Sequence, residues 1–109
     1  MFYSQTSIGE MLDITPRQVR FWIEHLDLLL DGDPRSLADW KLAAHLRKRG
    51  VGLENIRSVI AAHHRSDARY LILNYENATV LPMDSGKAVL ARFAATGGRN
   101  LLLIDTQKV

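Results

Sequence analysis

The chain contains no cysteine among its 109 residues. Disulfide bonds, thiolate metal ligands and cysteine nucleophiles are therefore excluded. No segment approaches the roughly 18 to 20 consecutive apolar residues that a membrane-spanning helix requires. The first five residues also lack the basic and apolar regions of a signal peptide. Together these absences predict a cytoplasmic protein with no membrane partner.

Residue patterns typical of catalysis are missing as well. We find no carboxylate pair, no nucleophile beside a base and no glycine-rich phosphate loop. The segment from Asp84 to Lys87 lacks the phosphate-loop spacing and instead predicts a helix start. The adjacent His63 and His64 would point about 100° apart on a helix, without an evident third ligand. The sequence therefore predicts no enzymatic activity, no metal site and no cofactor.

The charge balance gives only qualified support to a polyanionic partner. The net charge is +2, and residues 1–67 contain nine Lys/Arg against nine Asp/Glu. A nucleic-acid-binding domain is usually more basic than this. The fold would have to gather five cations on one side: Arg17, Arg20, Arg35, Lys41 and Lys48. We therefore expect modest affinity for one copy and higher affinity when two copies bind together.

The most informative stretch begins at Ile14 and predicts the turn and second helix of a helix-turn-helix. The Thr15 hydroxyl is a good helix cap, and Pro16 suits the first helical position because no intrahelical partner exists there for an N–H group. One face of this helix is apolar, with Val19, Trp22, Ile23 and Leu26. The opposite face has Arg17, Arg20, Phe21 and Glu24. The alternative is a solvated face in which Arg20 pairs with Glu24, four residues later.

Three further helices are predicted in the N-terminal part. Ser4 caps a first helix that ends near Leu12 and turns Ile8, Met11 and Leu12 inward, and Asp13 suits a left-handed turn. Leu28 to Leu30 form a short strand or a core plug. A capping box of Ser36 and Asp39 starts a third helix that ends at Gly50, with Trp40 in the core. The last turn of this helix carries three cationic side chains. They could bind phosphate, but the helix dipole also favours cations at this position when no phosphate is bound. A fourth helix runs from about Leu53 to His64.

The pattern changes after Ser66. Residues 70–73 and 79–81 are β-prone, and residues 74–78 suit a hairpin connection. Asp84 or Ser85 caps a helix over 87–95, with Val89, Leu90 and Phe93 on its apolar stripe, and Gly97 ends it. Residues 101–104 form a third strand that is apolar without alternation and is expected to be covered on both faces. If the second and third strands pair directly, the helix is a right-handed crossover between parallel strands.

These elements define an α+β fold class with two domains. Residues 1–66 form the four-helix part, and residues 67–109 form a small β-β-α-β unit. Three strands and one helix enclose only a small hydrophobic core. We therefore expect the unit to be completed by packing against the helical part or against a second copy.

Residues from Tyr3 to about Ile60 resemble the MerR-type DNA-binding domain, a winged helix-turn-helix. The resemblance rests mainly on Thr15-Pro16-Arg17 followed by Val19-Arg20-Phe21-Trp22. It is extended by Leu28-Leu29 and by the segment 50–56, which is similar to the family's entry into its fourth helix.

The resemblance implies a set of DNA contacts. Arg17 would hold phosphate or a base edge, Arg20 would hold phosphate, and Phe21 would replace the family's tyrosine against the DNA backbone. Gln18 is the best candidate for reading a base, because an amide pairs with adenine through two hydrogen bonds. The family's β-hairpin wing is reduced here to residues 31–36, where Arg35 alone could make the wing contact. Thr15 and Lys41 complete the predicted set.

The chain departs from the family after its fourth helix. MerR-type regulators continue into a dimerising coiled coil and an effector domain, and this sequence has neither the heptads nor the cysteines of a metal-sensing loop. The resemblance therefore implies a sequence-specific transcriptional regulator, most simply a repressor, that binds double-stranded DNA as a homodimer through its C-terminal α+β tail. Two alternatives remain: an architectural, excisionase-like DNA-binding protein, and a protein–protein adapter that docks through the β tail.

Overall fold

A computed structural model describes residues 4–109 and confirms the α+β class. The chain divides into two compact units, one ending at Lys48 and the other beginning at Arg49. This division differs from the boundary that the sequence places after Ser66. The reason is the fourth helix, which packs on the strands that follow it and therefore belongs to the second unit.

The first unit contains three helices: α1 (Gln5–Leu12), α2 (Pro16–Leu26) and α3 (Pro34–Lys48). Helix α1 packs against both α2 and α3. The apolar stripes of all three helices and the connection before α3 supply the buried apolar side chains. These are Ile8, Val19, Trp22, Leu26, Leu28, Trp40, Leu42, Ala43, Ala44 and Leu46. Burial of this apolar surface is the main term that favours folding of the unit.

Helix α1 begins and ends as its sequence predicts. The Ser4 hydroxyl accepts a hydrogen bond from the Ser7 backbone N–H at 3.0 Å, and Asp13 adopts the left-handed conformation with φ 55°. The inward face is narrower than expected. Ile8 is fully buried, whereas Met11 is half exposed, so the inward prediction for Met11 is wrong.

Helix α3 begins two residues before the predicted capping box. The Asp33 carboxylate accepts a hydrogen bond from the Arg35 N–H at 2.8 Å, and the Asp33 carbonyl accepts one from Leu37. Pro34 then occupies the helix start, where its fixed φ is favourable. Leu28 to Leu30 do not form a strand. The Leu28 side chain is buried in the core, as the alternative prediction for this segment has it. The Leu29 carbonyl accepts a hydrogen bond from the Trp40 indole N–H at 2.9 Å.

The second unit contains the β-β-α-β order predicted from the sequence, preceded by α4. Its elements are α4 (Leu53–Arg65), β1 (Tyr70–Asn74), β2 (Thr79–Met83), α5 (Gly86–Thr96), β3 (Leu101–Asp105) and a short 3₁₀ turn over Thr106–Lys108. Helices α4 and α5 both pack on β1 and β2.

The three strands form an antiparallel sheet in the order β2-β1-β3. Since β2 and β3 do not pair, the condition for a parallel crossover is not met. The central strand β1 buries Leu71, Ile72 and Leu73 in succession. Strand β3 lies at an edge, and its three leucines stay partly exposed. The expectation that β3 is covered on both faces is therefore wrong, and β1 has that position instead.

Helix α5 has the predicted caps and a narrower apolar stripe. The Ser85 hydroxyl accepts a hydrogen bond from the Ala88 N–H at 3.1 Å, and Gly97 ends the helix with φ 72°. Val89 is buried and Phe93 is partly buried, but Leu90 is 72% exposed. The inward prediction for Leu90 is therefore wrong.

Candidate nucleic-acid interface

The start of α2 is fixed by three local features. Gly9 of α1 allows a close approach, since a Cβ atom there would lie 3.0 Å from the Ile14 carbonyl oxygen. Asp13 then reverses the chain with a positive φ. Thr15 caps α2, its hydroxyl accepting a hydrogen bond from the Gln18 backbone N–H at 3.1 Å, and Pro16 is the first helical residue. This confirms the predicted helix start.

One face of α2 anchors the helix in the first unit. Val19, Trp22 and Leu26 are buried. The rings of Trp22 and Trp40 lie 6.1 Å apart at a tilt of 38°, within the range of favourable aromatic pairs. Both tryptophans thus belong to the core, and α2 is held by its apolar stripe with its other face outward.

The outward face of α2 carries two guanidinium groups. Arg17 and Arg20 are exposed, and their positions lie about 60° apart around the helix axis. Neither side chain has a hydrogen bond or an ion pair with another residue of the range 4–109. The alternative that Arg20 pairs with Glu24 is not realised there, and the Glu24 carboxylate lies 4.0 Å from His25 Nε2.

An aromatic side chain extends the outward face. Phe21 is 45% exposed and lies about 40° around the helix from Arg17. Its ring contacts that of His25, one turn later, with centroids 4.2 Å apart. This contact is not among the sequence predictions, although the spacing of four residues is the signal that predicts it.

The remaining predicted residues are one residue of α2 and two residues of α3. Gln18 is partly buried, at the border between the apolar and polar faces of α2. Arg35 and Lys41 are exposed on α3. Arg17, Arg20 and Phe21 therefore share the outward face of α2, with Thr15 at the start of their helix, while Gln18 lies at its border and two cations belong to α3.

No strand forms in the connection between α2 and α3. Asp31 accepts a hydrogen bond from the Asp33 backbone N–H at 3.0 Å. That hydrogen bond, together with one donated by the Ser36 side chain, lowers the pKa of the Asp31 carboxyl group. Arg35 lies in the first turn of α3. The wing hairpin that the resemblance implies is therefore absent, and Arg35 is a helix residue.

The second unit contains no candidate metal centre in the part of the chain that the structure describes. No group of three His, Asp or Glu side chains within residues 4–109 could hold a metal ion. An open groove of about 340 Å³ lies between α4 and the hairpin, and Arg65 is the cation in its lining. In the same range, no helix is long and apolar enough to cross a membrane.

Comparison with known proteins adds no functional assignment. No family model, curated protein or solved structure matches this chain. The interpretation of the α2 face therefore rests on its geometry and its sequence.

Proposed function

We propose that the chain is a sequence-specific DNA-binding protein of the MerR-like helix-turn-helix type, which regulates transcription as a cytoplasmic homodimer. The observation that carries this proposal is the pair of exposed guanidinium groups on α2, Arg17 and Arg20, which have no partner elsewhere in residues 4–109. Cations with no internal partner are free to pair with phosphate oxygens.

The dimensions and composition of α2 suit the major groove. Eleven residues give a helix about 16 Å long, and a B-DNA major groove about 12 Å wide admits one helix. Recognition helices present their N-terminal residues to base edges. In this chain those residues are Arg17 and Gln18, which follow the fixed start at Thr15.

Each side chain would have a distinct role. Arg17 binds a base edge or phosphate, and Arg20 binds phosphate. Phe21 packs against the sugar-phosphate backbone with the exposed part of its ring. Gln18 reads a base from the border of the face. Arg35 and Lys41 supply phosphate contacts from α3. The most direct regulatory outcome of such binding is repression by occupancy of a site.

Substitution of the two arginines tests the proposal. We expect Arg17→Ala and Arg20→Ala each to weaken duplex binding by a factor of about 5 to 150, corresponding to about 1–3 kcal/mol. Each should also reduce the slope of log affinity against log salt concentration by about 1. Fluorescence anisotropy with labelled duplexes measures both quantities.

Two matched variants control for net charge. Arg92→Ala removes one exposed cation from α5 and should bind like the parent chain. Glu24→Gln removes the anion that shares the outward face with Arg20 and should strengthen binding. Equal affinity of the parent, Arg17→Ala and Arg20→Ala would show that this face does not bind DNA. A footprint that spreads with protein concentration would instead indicate the architectural alternative.

A further inference from the structure

Within residues 4–109, strand β3 has one edge that pairs with no other strand, and the backbone geometry of that edge follows from the observed hydrogen bonds. The Thr106 N–H donates to the Arg69 carbonyl at 2.9 Å, and the Tyr75 N–H donates to the Asn100 carbonyl at 3.1 Å. Hydrogen-bonded and non-hydrogen-bonded pairs alternate along an antiparallel ladder. Even-numbered residues of β3 therefore face β1, and Leu101, Leu103 and Asp105 direct their N–H and C=O groups away from the sheet.

The opposite edge of the sheet is blocked by a proline. Because residues 71 and 73 of β1 bond to β3, residues 70, 72 and 74 bond to β2. In β2, Val80 and Pro82 therefore face outward, and Pro82 has no N–H to offer. Proteins protect exposed edges from strand addition with prolines placed in this way. Strand β3 contains neither a proline nor a lysine.

We infer that the β3 edge pairs with the β3 edge of a second copy of this chain, antiparallel and around a twofold axis at Leu103. This deepens the proposed function, which requires two copies, by naming the surface that joins them. In this register Leu103 lies opposite Leu103 of the second copy, and Leu101 lies opposite Asp105. All are outward-facing residues, so each pair exchanges two backbone hydrogen bonds. Two three-stranded sheets then become one continuous sheet.

The composition of the edge favours a second copy over a charged peptide. Leu101 to Ile104 carry no charge, and Asp105 is already engaged by Arg69 at 3.2 Å. No free charge on the strand remains to select a partner. The partly exposed leucines meet the same leucines across the axis, as an isologous interface requires.

A single introduced cysteine tests this register. The two Cα atoms of a hydrogen-bonded antiparallel pair lie about 5.5 Å apart, within the range of about 4.4–6.8 Å that a disulfide spans. Since the chain has no other cysteine, Leu103→Cys should form a covalent dimer under mild oxidation, without DNA. Leu81→Cys is the matched control, because Leu81 and Leu103 flank Ile72 on opposite edges of the sheet. It should remain mostly monomeric on a non-reducing gel.

A second variant tests the same edge without a cross-link. Leu103→Lys would place two ammonium groups opposite each other at the axis, and we expect a monomer by sedimentation equilibrium at concentrations where the parent and Leu81→Lys are dimers. Circular dichroism verifies that each variant is folded. A monomeric parent, equal cross-linking at positions 81 and 103, or a dimeric Leu103→Lys would overturn the inference. Because no DNA is present, none of these outcomes tests whether the α2 face contacts DNA. A monomeric parent would also contradict the proposed homodimer, whereas a parent dimer that does not use the β3 edge overturns this inference alone.

Discussion

Single residues with strong backbone preferences were the most predictable part of this molecule. Asp13 in the left-handed turn and the hydroxyl caps of Thr15 and Ser85 all occur where the sequence places them. Each depends on interactions within a few residues, so neighbouring sequence suffices. The exposure of Met11 and Leu90 was not predictable, because helical periodicity identifies an apolar stripe but not how much of it another element covers.

The close contact at Gly9 leads to a prediction about stability. An added methyl group would meet the Ile14 carbonyl oxygen at 3.0 Å and Val19 Cγ2 at 3.5 Å. Overpacking costs about 1–3 kcal/mol, which outweighs the helix propensity gained. We therefore expect Gly9→Ala to lower the free energy of unfolding by about 1 kcal/mol, measured by urea denaturation. Gly86→Ala, where nothing lies within 4 Å, should be neutral or stabilising. The opposite ranking would contradict the close approach.

At the scale of elements, most helices and strands were predictable, whereas their partners were not. The apolar run of β3 is compatible with pairing to either of the other strands, and only the tertiary structure places it beside β1. The same run suggested that both faces of β3 are covered, whereas β1 is the strand whose two faces are buried. For the α2 face, the pattern of Arg17, Arg20 and Phe21 was evident in the sequence. The lack of internal partners for the arginines required coordinates.

An ion pair at one end of the β1–β3 pairing should make the stability of the fold depend on pH. Arg69 donates to both carboxylate oxygens of Asp105, at 3.3 and 3.2 Å. This hydrogen bonding is the main reason that the pKa of Asp105 is lowered, with smaller contributions from the Gln107 N–H and Lys108. Because the pKa of Asp105 is lower in the folded than in the unfolded chain, the ion pair stabilises the fold when the pH is above the unfolded-state pKa of about 3.9. This stabilisation is lost as the pH falls through the folded-state pKa.

Asp105→Asn should therefore lower the melting temperature at pH 7, and its difference from the parent should shrink below about pH 4. Asp84→Asn is the matched control, because Asp84 is exposed and has no hydrogen bond or ion pair with another of the described residues. Thermal melts at pH 7 and pH 3 measure both differences. An Asp105→Asn deficit that is the same at both pH values would show that the ion pair is not its source.

At the scale of the whole molecule, net charge alone would not account for the proposed DNA binding. The unit that ends at Lys48 contains six Lys/Arg and seven Asp/Glu. Under the proposed function, affinity would therefore come from the local placement of cations on α2 and from the joint binding of two copies. Linking two weak sites raises overall affinity through effective concentration, and a twofold axis predicts an inverted repeat in the bound DNA.

Selection of bound duplexes from a randomised pool tests the central claim most directly, with the parent chain compared with the Arg17→Ala/Arg20→Ala double variant. The account predicts that the parent enriches a defined inverted repeat and that the double variant enriches none. Enrichment of the same sequences by both proteins, or of no sequence by the parent, would contradict it.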